Sequence, residues 1–165
     1  MKRITREDVE NLRKSFESRG YGKVDADVAG RKFSYYVLPQ DLNSKLPDFA
    51  MRCTSDDGSA YVIGVSDSLP ESYRPYVALH EFVEFVEIGA QVPGRCARAL
   101  EVELNSVPEE IRKSYAERRR DFFKNLVNYY ENEIKDGKRA VSEADLAEFK
   151  RSLEMLEKFV SKACD

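Results

Sequence analysis

His80, Glu81, Glu84 and Glu87 stand close together in the stretch Tyr73-Arg-Pro-Tyr-Val-Ala-Leu-His-Glu-Phe-Val-Glu-Phe-Val-Glu-Ile-Gly89, and His80 is the only histidine of the chain. Val77, Ala78, Leu79, Phe82, Val83, Phe85, Val86 and Ile88 surround them. A helix that is apolar all round is normally buried, and burying an unpaired charge is costly. At about 100° per residue, with His80 at zero, Glu84 falls near +40°, Glu87 near −20° and Glu81 near +100°. Three potential ligands therefore share a stripe, with Glu81 at its flank. Carboxylates so crowded repel unless a divalent metal, a proton or an arginine lies between them. A histidine with a carboxylate four residues on is a natural two-point metal clamp. The next residue, Glu81, points to the rim, where it could act as general base on a metal-bound water.

The same residues admit plainer readings. His80 could be a core imidazole bonded to a carbonyl or carboxylate, or an acid–base group without metal. Glu84 and Glu87 could pair with Arg74, Arg95 or Arg98, and Glu81 could cap or pair with Arg74.

The elements around this helix are legible from spacing. Thr5-Arg-Glu-Asp8 reads as a capping box, with Val9, Leu12 and Phe16 following at helical spacing and Gly20 and Gly22 ending the helix. Four β-prone stretches follow, at residues 23–28, 32–38, 49–54 and 60–65, with turns at Ala29-Gly30 and Asp56-Asp57-Gly58 and a loop over 39–47. Ser68-Leu-Pro-Glu71 suggests the start of the helix that runs to Gly89. Further helices are expected over 95–106, 109–135 and 142–163. Ile111, Tyr115, Phe122, Leu126 and Tyr129 mark the inner face of one long helix, and Leu146, Phe149, Leu153, Leu156 and Val160 that of the other. The expected fold is α+β: a small antiparallel sheet of three to four strands on a buried central helix, then a C-terminal helical hairpin. Residues 1–165 read as one domain, with 1–107 holding the sheet and site helices and 108–165 the hairpin, a candidate sub-lobe.

Composition narrows the function classes. Hydrophobic residues make up 42% and charged residues 35%, which excludes a disordered chain and demands a densely charged surface. A net charge of −3 gives no basic field for nucleic acid or anionic membrane. Arg118-Arg-Arg120 reads as a small solvated basic face. Cys53, Cys96 and Cys164 form no CxxC pair, so neither a disulfide framework nor a cysteine zinc knuckle is indicated. The N-terminus is charged, and no apolar run approaches the roughly 20 residues of a membrane span. The expectation is a cytoplasmic protein.

Strand 60–65, the turn, the capped helix and Arg74-x-x-x-Ala78-Leu-His80-Glu81 together resemble the strand–helix core of small thermolysin-like (minigluzincin) HExxH metallopeptidases. The resemblance spans about residues 59–108. It implies zinc, with His80 as first ligand, Glu81 as general base and strand 60–65 as the edge that holds an extended peptide substrate. Two positions depart from the pattern. The second histidine is Glu84, so the motif reads HExxE, and a richer carboxylate set favours harder ions such as manganese or iron. The usual downstream glutamate three residues before an alanine is also missing, because Gly94 precedes Ala97. On a buried face marked by Ala97, Leu100 and Leu104, Glu101 becomes the third ligand, while Cys96 and Glu103 read as pointing elsewhere. The site expected is thus metal on His80, Glu84 and Glu101, with Glu81 catalytic, in a hydrolase acting on a peptide. The alternative is a non-catalytic binding or regulatory domain that uses the hairpin for protein contact or homodimerisation. A carboxylate redox site on Glu84-x-x-Glu87 is set aside, since a single histidine cannot supply two Glu-x-x-His motifs.

Overall fold

The computed structural model describes residues 3–137 and 142–163. Helix α1 (Arg6–Ser18) opens on the expected capping box, with the Thr5 hydroxyl and the Asp8 carboxylate each accepting the other residue's backbone N–H. Strands β1 (Lys23–Val28) and β2 (Arg31–Leu38) form a hairpin through Ala29 and Gly30, both at positive φ. A short 3₁₀ turn, β3 (Ala50–Thr54) and β4 (Tyr61–Ser66) follow.

The sheet order is β1-β2-β4-β3. Two of its pairings are antiparallel, as expected, but β2 and β4 run parallel, so the sheet is mixed. The reason is the crossover: the chain leaves β2 through loop 39–48, lays down β3 on the outside, and returns by the tight Ser55–Ala60 turn into the gap beside β2. Side chains alternate across the sheet. Tyr36 packs on Phe16 of α1, while Phe33, an odd number of residues away, stacks on Phe82 beneath the opposite face.

On that second face lies α2 (Arg74–Glu81), which begins later than its expected cap. Ser68 caps nothing; its hydroxyl bonds Asp48 and Gln40, and Pro75 in the first turn marks the true start. From Phe82 to Ile88 the helix widens into π turns, closed at Gly89, whose N–H reaches Glu84. Helices α3 (Arg95–Ser106), α4 (Glu109–Lys135) and α5 (Glu143–Ala163) complete the chain. Helix α3 packs on α2, and α5 packs on both α3 and α4. No helix among the described residues is long and apolar enough to cross a membrane.

Candidate metal centre

His80 sits near the end of α2 with 4% of its surface exposed. Its two ring nitrogens face different elements. Nδ1 lies 2.7 Å from Glu103 Oε1 on α3. Nε2 lies 3.0 Å from Glu84 Oε1 and 3.7 Å from Cys96 Sγ. His80, Glu84 and Cys96 are all buried, and their donor atoms lie within 4.8 Å of one another. A group of this composition could bind a metal ion.

The surrounding side chains fix this geometry. Glu103 accepts the Tyr115 hydroxyl and, at 2.7 and 3.3 Å, Nε and Nη2 of Arg119, both from α4. Arg95 places Nε 3.1 Å from Glu84 Oε2, an ion pair that lacks hydrogen-bond alignment, and donates Nη2 to Asp145 of α5 at 2.7 Å. Ser152 donates to Cys96 Sγ at 3.0 Å, and Glu148 accepts the backbone N–H groups of Gly94 and Cys96. Helix α5 is therefore a wall of the site.

The charges can be followed one by one. Burial alone would raise the Glu103 pKa, but Arg119 and His80 outweigh it and hold the carboxyl down at about 2. Burial also disfavours charge on His80, yet Cys96, Glu103 and Glu84 outweigh that and raise it well above the usual histidine value. The raised pKa favours the imidazolium form, in which Nδ1 donates to Glu103 and Nε2 to Glu84. Burial, reinforced by Glu84, pushes Glu81 up. Burial likewise keeps the Cys96 thiol protonated. Three acidic side chains, Glu84, Glu103 and Asp145, thus face three basic ones, His80, Arg95 and Arg119.

Several sequence expectations change here. Glu101 is exposed on the outer side of α3 and stands apart from the His80 cluster; Cys96 and Glu103 take the inner face instead. Glu87 leaves the stripe because each π-helical residue turns through less than 100°, and it pairs with Arg31 at 2.6 Å. Arg119 is no part of a solvated patch: it is 3% exposed. The stretch 60–65 is not a sheet edge, because β4 lies between β2 and β3; the edge beside the site is β3. His80 and Glu84 do meet, as their spacing requires. Glu81 also lines the cleft that opens onto them, a space of about 430 Å³ shared with Met51 and Arg52 of β3. The missed partners carried a signal. Cys96, Ala99, Leu100 and Glu103 sit at i, i+3, i+4 and i+7, a complete helical face.

No protein-family model, curated protein or solved structure matches the chain.

Proposed function

We propose that this cleft is a metal-dependent hydrolytic centre of the metallopeptidase type, with His80 Nε2, Glu84 and Cys96 as ligands and Glu81 as general base. The observation that carries the reading is the split use of His80: Nδ1 is anchored by a carboxylate while Nε2 faces a carboxylate and a thiol. Metal-binding histidines are commonly oriented by a carboxylate on the other nitrogen in this way.

Spacing and charge support it. Bonds of about 2.0 Å to nitrogen or oxygen and about 2.3 Å to sulfur put tetrahedral donors about 3.3–3.6 Å apart. The separations of 3.0 and 3.7 Å from Nε2 bracket that range. A doubly charged ion that displaces one proton from His80 and one from Cys96 leaves the net charge of the cluster unchanged, so burial adds little to oppose it. With one nitrogen, one oxygen and one sulfur donor, zinc is the best match.

When bound, the ion would polarise a water molecule and the scissile carbonyl. Glu81 lines the cleft without a hydrogen-bond partner among the described residues, and burial has made it more basic than an ordinary carboxylate. It would take a proton from the attacking water and return it to the leaving amine. The free edge of β3 would hold the peptide by strand addition, with Met51 and Arg52 at the cleft.

The pairing of these acids with His80, Arg95 and Arg119 favours a second reading, a non-catalytic domain whose buried ion network only specifies its packing. Metal analysis of untagged native protein separates the two. The hydrolase reading expects about one equivalent of metal, lost in His80→Ala and Cys96→Ala. Metal-free native protein whose melting temperature ignores added zinc would leave only the second reading.

A further inference from the structure

The cleft contains cationic donors that the hydrolytic reading does not use. Arg119 lines it, is buried, and spends Nε and Nη2 on Glu103; its Nη1 has no hydrogen-bond partner among the described residues. A buried donor of this kind needs an acceptor. Arg52 stands at the rim on β3, exposed, its guanidinium 3.9 Å from the centre of the Phe85 ring. Among the described residues it has no ion pair. Of the acids that line the cleft, Glu84 and Asp145 are in contact with Arg95, while Glu81 makes no hydrogen bond or ion pair among the described residues and feels Arg52 and Arg119 only through space. The hairpin part of the lining is apolar, with Phe122 under the Arg119 guanidinium at 5.0 Å and Leu126 and Phe149 also facing the cleft.

From this pairing of unused guanidinium donors with an apolar wall, we infer that the cleft binds the free C-terminal residue of a peptide. An apolar side chain lies on the hairpin wall, and the terminal carboxylate is taken by Arg52 and Nη1 of Arg119. Arginine suits the task because its planar fork matches a carboxylate. Stacking on Phe85 holds the Arg52 fork in place and lowers the entropy lost on binding. The inference deepens the hydrolase reading by naming its substrate end, and it rests on that reading for the fate of the peptide but not for its binding.

The test is calorimetry on the full-length native chain after chelation and dialysis, so that no turnover intrudes. The probes are N-acetyl-phenylalanine, its carboxamide and N-acetylglycine. The acid should bind at least about tenfold more tightly than either the amide or the glycine compound. Arg52→Gln should erase most of the acid–amide difference without moving the melting temperature. Arg119→Lys should also weaken the acid, and where it does not fold, the native comparison and Arg52→Gln still decide. Equal binding of acid and amide, no saturation by the acid at about 10 mM, or an Arg52→Gln protein that keeps its preference would each overturn the inference. Carboxylate-selective binding by a protein that takes up no zinc would sustain it while removing the hydrolase.

Discussion

Arg118 and Arg119 are neighbours on α4, and they build two different networks. Arg119 turns inward to Glu103, with both side chains almost wholly buried, at 4% and 0% exposure. Arg118 lies 38% exposed against Asp48, donating Nε and Nη2 to its carboxylate and Nη2 to the Ser68 carbonyl. Asp48 is itself held at positive φ, and its backbone N–H is bonded by Gln40 and Ser68. One helical step of about 100° therefore separates an ion pair in a dry interior from one wetted by solvent. The chemistry of the partners is identical; what differs is whether water can substitute when a partner is removed.

The largest effect should come from breaking the inner pair on one side only. Arg119→Met leaves the Glu103 carboxylate buried with two of its four side-chain hydrogen bonds gone, and urea unfolding should report a loss of about 3–5 kcal/mol. The double variant Arg119→Met/Glu103→Leu should recover most of that loss. If the double variant is no more stable than the single one, the inner network contributes more than mutual neutralisation. Acid should act next. Glu103 is ordinary near 4.5 when unfolded and about 2 when folded, so its stabilising share is complete above pH 4.5 and disappears as pH falls toward 2. Asp48 is also lowered, by Arg118 and Ser68, against the opposing effect of burial, and has the same sign from 3.8 downward. His80 has the opposite sign. Its raised pKa stabilises fully below 6.5 and fades as pH rises above that value, so metal-free protein should soften in alkali. A melting-temperature profile that stays flat on the alkaline side would show His80 to be neutral in the fold. The outer pair should matter least: Arg118→Ala should cost about 1 kcal/mol and lose its effect in high salt.

A further measurement sharpens the contrast through the inner network alone. Because zinc would displace one proton from His80 and one from Cys96, its apparent affinity should rise about a hundredfold per pH unit while both groups are protonated. Cobalt in place of zinc should show sulfur-to-metal charge transfer in the near ultraviolet, absent in Cys96→Ser. A pH-independent affinity would place the ion elsewhere.

Much of the frame can be read from the chain. The Thr5–Asp8 box, the Ala29-Gly30 turn, and the limits of α3 and α4 follow from local rules that packing does not override. His80 and Glu84 meet because i and i+4 share a face in both α and π turns of this length. The rest depended on neighbours distant in sequence. Glu87 was displaced by π turns that no periodicity announces. On α3 a face drawn through Ala97, Leu100 and Leu104 lies one position away from the true one, which runs through Cys96, Ala99, Leu100 and Glu103. Arg119 falls between Tyr115 and Phe122 on the inner stripe of α4, where its charge argued for solvent and its position for the core. The rule that charged side chains face water fails wherever charges neutralise one another, and here they do so through helices far apart in the chain.

The Glu148 carboxylate, accepting two backbone N–H groups at the start of α3, has a practical corollary. It ties the first turn of the thiol-bearing helix to the last helix of the chain. A fragment ending at Val107 would keep His80, Glu84 and Cys96 yet forfeit Arg119, Tyr115, Asp145, Glu148 and Ser152, the groups that orient and neutralise them. The imidazole-bearing helix is thus not a portable module, and grafting or trimming strategies must carry the hairpin with it.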